Sequence, residues 1–332
     1  FYFSYILSAP YYLFKNPLVI IFTLQVFELL GFCLFYLSIK KLLSVYRAQL
    51  FALLYLTNPL VIGWLAFDGQ DESMMIFAFG GIFYATAYSS RFLNYFFSCF
   101  SLFAIKITAL AAIASVVMVS KRKEILQGVL FGLLFLLIPL FLNSKIFGFK
   151  FEWQNSVDIL TKYFFPGNIW FLIDKISPNN NLILFSRITT IVLFLITTCM
   201  LFKFKNLFPK AIFIALGVSL YTLSFQIGSS YVSPGFIATI IPFLIFLLLT
   251  SNDLITRNFY FFMFYSLLIP FDLAIYLIWE KNYKNVFPEE LFNLIFYPYE
   301  LLIISSNILL YFILIKFLFK VTKDHNLIKF NK

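Results

Sequence analysis

The chain's 332 residues are 62% hydrophobic and only 12% charged, with 48 Phe, 20 Tyr and a mean hydropathy of +0.92. No soluble core of this length could hide so much apolar surface, so a soluble globular domain is excluded and a polytopic integral membrane protein is expected. The net charge of +10 does not point to nucleic acid, because the basic residues sit in short clusters between apolar runs, as loop topology produces.

A membrane helix needs roughly 20 apolar residues. Runs near that length fall at about 18–39, 51–67, 73–90, 92–119, 125–142, 182–202, 211–227, 234–250, 258–279 and 299–320. No alternating ten-residue segments suggest a barrel. The predicted fold is all-α: one transmembrane domain over 1–332, a helix bundle of about 10–11 membrane segments. Residues 1–14 are aromatic and uncharged and read as interfacial. The chain starts at Phe1 without a signal-peptide pattern, so an N-terminal portion is expected to be missing.

Charge sets the orientation. Lys40, Lys41 and Arg47, then Arg91, then Lys121-Arg122-Lys123, then Lys203, Lys205 and Lys210, then Arg257 follow successive spans. Lys316, Lys320, Lys323, Lys329 and Lys332 close the chain. The positive-inside rule puts all of these, and the C-terminus, in the cytoplasm. The alternate loops, 67–73, 143–181, 228–233 and 280–298, then lie outside or in a lumen. They gather acids: Asp68, Asp71 and Glu72, then Glu152, Asp158 and Asp174, then Glu280, Glu289 and Glu290. The membrane is a cell membrane, or the ER membrane in a eukaryote.

One span breaks the alternation, since Arg91 and Lys121 both belong inside. A hairpin of two short helices over 92–119 repairs it, with Lys106 at a sunken tip. A re-entrant turn of that kind must be buried in protein or line a wet cavity. The alternative is one long tilted helix. The 143–181 loop is too long for a plain connector, and Trp153, Tyr163 and Trp170 in it suit the membrane interface better than sugar stacking. Asn168 reads as a turn residue. Cys33, Cys99 and Cys199 lie in apolar runs with no paired spacing, so buried free thiols are expected. His325 is a lone tail histidine, which leaves no His- or Cys-ligated metal site. Asp272, near Pro270, is an acid inside a span.

The densest chemistry is Phe67-Asp68-Gly69-Gln70-Asp71-Glu72, three carboxylates at a membrane boundary. Such groups are costly unless they stay wet or act on something. The plain alternative is a solvated loop whose acids favour the next helix's N-terminus.

Taken together, Asn58-Pro59, Gly69-Gln70-Asp71, a single Lys106 in a later apolar span, and Ser233-Pro234-Gly235-Phe236-Ile237-Ala238-Thr239-Ile240-Ile241-Pro242 resemble the GT-C superfamily of membrane glycosyltransferases. They are most similar to its polyprenol-phosphate-mannose-dependent mannosyltransferases, and Ser4–Tyr12 resembles the amphipathic stretch after that family's first external loop. Gly235-Phe236 departs from the Gln-Tyr usual there.

The resemblance implies a GT-C-like fold. It also implies sugar transfer, by analogy of mannose, from a polyprenyl-phosphate donor to a glycan or glycolipid acceptor on the outer face. It further implies a main catalytic acid in an upstream loop that is absent from this sequence. Within the chain, a carboxylate base of Asp68 or Asp71 would take the acceptor proton. Lys106 would stabilise the phosphate leaving group, with Gln70, Glu72, Lys162, Lys175 and Arg187 as further substrate or phosphate contacts. Asp68 and Asp71 could also hold Mg2+ or Mn2+, though no cofactor is certain. The competing readings are a transporter or lipid flippase, for which no internal repeat is visible, and a non-catalytic partner subunit of a glycosyltransferase.

Overall fold

The computed structural model describes residues 14–16, 18–63, 72–91, 93, 96–97, 110–121, 168–179, 181–230, 234–250, 261–262, 265–266 and 289–323. Among them every regular element is helical. These are α1 (Leu18–Leu42), α2 (Val45–Leu56), α3 (Glu72–Ala87), α4 (Leu110–Val119), α5 (Ile169–Ile176), α6 (Leu182–Phe204) and α7 (Lys210–Gly228). A 3-10 segment η1 (Pro234–Ile240) then runs into α8 (Ile241–Thr250), and α9 (Glu289–Lys323) follows. Four helices are long and apolar enough to cross a membrane: α1, α6, α7 and the Phe296–Lys320 part of α9. This is a helical protein of membrane type.

Ring contacts give the helix directions. Phe27 meets Phe77, and Phe35 meets Phe83, so α1 and α3 run parallel. Phe32 stacks on both Phe51 and Tyr55, and Glu28 meets Tyr55, so α2 runs antiparallel to α1. Phe243 meets Phe79, and Phe246 meets Phe83, so α8 runs with α3. Thr197 meets Tyr311, and Phe204 meets Phe319, so α6 and α9 are parallel. Thr198 meets Tyr221 and Thr197 meets Ser224, so α7 is antiparallel to α6. The η1–α8 limb, which follows α7 closely in the chain, packs back against it, so α8 runs opposite to α7.

These directions collect charge at one end of the bundle. Lys40 and Lys41 close α1, Arg47 lies in the first turn of α2, and Arg91 follows α3. Lys203, Lys205 and Lys210 mark the α6–α7 corner, and Lys316 and Lys320 end α9. These basic residues, each named among the clusters read from the sequence, thus share an end.

α7 is the central helix, with 89% of its apolar window buried against 17% for α6, whose outer face is left for lipid. Helix backbones come into contact where α6 passes the end of α7, at Thr190 and Gly228, and where α1 crosses α3. A Cβ built on Gly31 would come within 2.7 Å of the Ile76 carbonyl carbon, and one on Gly80 within 2.6 Å of the Gly31 oxygen. Helices in lipid gain little from apolar burial against one another, so such backbone contact and its dispersion carry the association.

Several sequence expectations change. The second helix starts at Val45, not near 51, because Ser44 accepts a hydrogen bond from the Arg47 amide and caps it. Arg47 is therefore helical and not a loop residue. α9 starts at Glu289, ten residues early, so much of the expected 280–298 loop is helix. Acids in a first helical turn favour the helix dipole, which an apolar count does not register. Cys33 and Cys199 are free thiols as expected, but exposed rather than buried. An apolar run shows that a helix is in the membrane, not which side faces lipid.

Phe97 packs on Gly81 and on the Phe77 ring, so the chain after Arg91 turns back along α3. That direction is common to the first limb of the expected hairpin and to the alternative of one long tilted helix. Its tip, Cys99, the 125–142 span and most of 258–279, with Asp272, lie outside the described residues.

Candidate functional site

The end of the bundle opposite those basic clusters gathers polar groups where helices begin or break. α2 ends at Leu56. Asn58 then restarts the helix, its Oδ1 accepting from the amides of Leu60 at 3.0 Å and Val61 at 3.3 Å. Pro59, which has no amide proton to lose, fits the first helical position. The Asn58 Nδ2 donates to Ser266 Oγ at 3.0 Å, so this fully buried amide ties the break to a segment far along the chain. Next to Ser266, the Tyr265 hydroxyl donates to Asn307 Oδ1 of α9.

α3 begins at Glu72, whose side chain is only 3% exposed. The position favours a carboxylate electrostatically, since the helix N-terminus carries partial positive charge. η1 packs against both α3 and α7, with Phe236 to Ile240 buried. Because α8 runs with α3, η1 lies beside the head of α3. The Asn58-Pro59 break, Glu72 and the Pro234–Ile240 segment therefore converge at one end, although they are far apart in sequence.

A second polar cluster ties α5 and α6 to the end of α7. Asn168 Oδ1 accepts from the Phe171 amide at 3.0 Å, and its Nδ2 donates to the Ser230 carbonyl at 3.0 Å. Ser186 Oγ donates to Ser230 Oγ at 3.2 Å. Asn168 is thus a helix cap, in keeping with its reading as a turn residue. α5 packs on α6 and α9 and buries Phe171 and Leu172 against Phe296 and Ile304.

Of the residues expected at the site, Asp68, Gln70, Asp71, Lys106 and Lys162 lie outside the described residues. Glu72 is at the convergence point. A buried carboxylate repels a phosphate, so its chemistry suits a sugar hydroxyl or a cation better than the donor's phosphate. Lys175 and Arg187 are exposed. Lys175 holds its Nζ 5.6 Å from the centre of the Phe171 ring, and Arg187 lies on the outer side of α6 among Leu184, Phe185 and Ile188. Both stand on elements that pack around α9, and the structure does not bring them to Glu72. No group of three or more His, Cys, Asp or Glu side chains that could hold a metal occurs among the described residues.

Sequence reasoning missed two buried acids, Glu28 on α1 and Glu300 on α9. The Tyr55 hydroxyl donates to Glu28 Oε1 at 3.4 Å, and Ser73 lies beside the same carboxyl. The signal was present: each is an acid inside an otherwise apolar run, where a carboxyl is expensive.

No protein-family model and no curated protein sequence matches the chain. What the fold itself defines is a class: a membrane-type protein, helical throughout its described elements, with a basic end and an opposite end built from helix breaks and buried polar groups.

Proposed function

We propose that the chain is a GT-C-type glycosyltransferase that takes a sugar from a polyprenyl-phosphate donor at the outer or lumenal face. The observation that carries this reading is the convergence of the Asn58-Pro59 break, the head of α3 and the Pro234–Ile240 segment. Two of these, Asn58-Pro59 and Pro234–Ile240, belong to the motifs on which the resemblance rests, and Glu72 directly follows a third, Gly69-Gln70-Asp71. Their location opposite the lysines also suits the substrate: a lipid-linked donor leaves its chain in the bilayer and presents its phosphate and sugar at the interface. With the lysine-rich end cytoplasmic, that interface is external or lumenal.

In this mechanism a carboxylate of the 68–71 segment removes the acceptor hydroxyl's proton as the oxygen attacks the anomeric carbon. The bond to the carrier phosphate breaks, and Lys106 stabilises the charge that develops there. Glu72, buried at the head of α3, orients the acceptor or the segment before it. No step here is routed through a metal. Mannose remains the family's sugar by analogy.

The test is transfer of label from radiolabelled polyprenyl-phosphate mannose in membranes holding the full reading frame. Asp71→Asn and Lys106→Ala should each lower transfer strongly at unchanged membrane insertion. Equal transfer in both variants would remove this site. No transfer by the properly inserted protein would shift the reading toward a transporter or a partner subunit.

A further inference from the structure

Three helix ends bring lysines to one corner of the basic end. α6 holds Lys203 in its last turn, Lys205 caps it, and α7 opens on Lys210. α9 carries Lys316 in its final turns, three residues before Phe319. The Phe204 and Phe319 rings meet edge to face at 5.1 Å, which fixes the end of α6 against α9. α9 also packs along α7. The lysines are therefore gathered by the fold from stretches about a hundred residues apart and are not a run along one helix.

Their surroundings leave the charge in force. Lys203 Nζ is 5.7 Å from the centre of the Phe204 ring, and Lys205 Nζ is 4.1 Å from that of Phe202. A ring face holds a cation without cancelling its charge. The described acids, Glu28, Glu72, Asp174, Glu289, Glu290 and Glu300, all lie nearer the other end. Helix stability does not account for the whole cluster. Lys203 and Lys316 stand towards helix C-termini, where the dipole favours a cation, but Lys210 stands at an N-terminus, where it does not. The positive end of α7 thus adds to the field of the lysines. Sidedness asks only that basic residues share a side. It does not ask that they converge or stand among exposed aromatic rings.

Lipid lies beside this corner. Ile188, Val192, Leu195 and Phe202 form an exposed apolar stripe along α6 that ends at Lys203 and Lys205. On α9, exposed Phe312 and Phe319 flank Lys316 in the same way. An acyl chain lying along such a stripe puts its headgroup at the lysines. An acidic protein would meet the lysines alone.

We propose that the α6–α7–α9 corner is a binding site for an anionic phospholipid of the leaflet at the basic end. Lys203, Lys205, Lys210 and Lys316 hold its phosphate, and the apolar stripes hold its acyl chains. Basic groups gathered between membrane helices take up anionic headgroups in this way. The site rests on the membrane-type fold and is independent of the transfer reaction.

The experiment titrates the purified full chain in neutral detergent with phosphatidylglycerol, phosphatidylcholine or inorganic phosphate. Native mass spectrometry reads the lipid retained, and a thermal melt reads the stabilisation. Phosphatidylglycerol should be retained more strongly than phosphatidylcholine and raise the melting temperature, and inorganic phosphate should not displace it. Lys203→Gln, Lys205→Gln and Lys316→Gln together should weaken its retention on the order of a hundredfold, the loss of three near-surface charges. Arginine at the same three positions should restore it. Lys40→Gln, Lys41→Gln and Arg47→Gln together remove equal charge from the α1–α2 corner and should change it far less.

Three results would overturn the proposal. Equal retention of the two lipids by the unaltered chain, a comparison that needs no variant, would leave the lysines to a soluble acidic partner. An equal loss in both triple variants would reduce the corner to overall charge. Displacement of the lipid by inorganic phosphate at matched concentration would make it a site for free anions.

Discussion

The α1–α2–α3–α8 half and the α6–α7–α9 half of the bundle solve one problem by different means. In the first, phenylalanines interlock around α8: Phe35 lies 5.0 Å from Phe243, and Phe83 lies 4.7 Å from Phe246, ring centre to ring centre. The backbones of α1 and α3 touch at Gly31 and Gly80. In the second, hydroxyls span the helix gaps. Thr197 Oγ1 lies 2.9 Å from Ser224 Oγ and 2.8 Å from the Tyr311 hydroxyl, and Thr198 Oγ1 lies 2.8 Å from the Tyr221 hydroxyl. In lipid, an interhelical hydrogen bond contributes on average about 0.6 kcal/mol, and an aromatic pair about 0.5–1.5 kcal/mol. The individual contacts are comparable in strength. What separates the two kinds of contact is tolerance, since a hydroxyl pair can relax and a backbone-on-backbone contact cannot; the second half has one of the latter as well, where a Cβ on Gly228 would fall 2.6 Å from the Thr190 Cα.

The comparison is broken most severely at the crossing. Gly31→Val forces side-chain atoms into the Ile76 carbonyl, and overpacking of this kind costs about 1–3 kcal/mol or more. The variant should lose most of its folded yield in detergent, as read by size-exclusion chromatography. A well-folded Gly31→Val protein would mean that α1 and α3 are not in backbone contact. Next in size is Asn58→Ala, which removes a cap and the bond to Ser266 together. A loss of about 1–2 kcal/mol is expected, seen as a lowered thermal midpoint.

Thr197→Val sharpens the contrast from the other half. Valine keeps the shape and deletes both hydroxyl contacts, for about 1 kcal/mol. A cost as large as that of Gly31→Val would erase the distinction between the two kinds of contact. The smallest effect is expected at Lys175→Ala, where an exposed lysine over the Phe171 ring contributes about 0.5–1 kcal/mol at most. Thermal melts should barely separate it from the unaltered chain.

Much of this architecture was legible in the sequence, for physical reasons that also mark where reading fails. The bounds of α1, α3, α6, α7 and the η1–α8 limb follow from unbroken apolar runs ending at lysines or turn residues. The start of α2 was misplaced because its determinant is a serine hydroxyl outside the apolar run. The start of α9 was late because Glu289 and Glu290 read as loop residues. Glu28 and Glu300 escaped because, Asp272 apart, acids were sought between spans rather than within them. The exposure of Cys33 and Cys199 was illegible because helices apolar all round carry no mark of their lipid side. At the candidate site, the Asn58-Pro59 and Pro234–Ile240 motifs were visible as residues. Their meeting at one end depends on the directions of α2, α3 and α8, which arise from packing across the whole bundle.

The most direct measurement is the sidedness of the two ends. In a background with Cys33, Cys99 and Cys199 replaced by serine, Gly69→Cys and Lys205→Cys are tested separately in sealed right-side-out vesicles with a membrane-impermeant maleimide. An outer-face site opposite a cytoplasmic lysine end predicts labelling of Gly69→Cys in intact vesicles, and of Lys205→Cys only after detergent is added. Labelling of both from the same side, or of Lys205→Cys alone in intact vesicles, would contradict it.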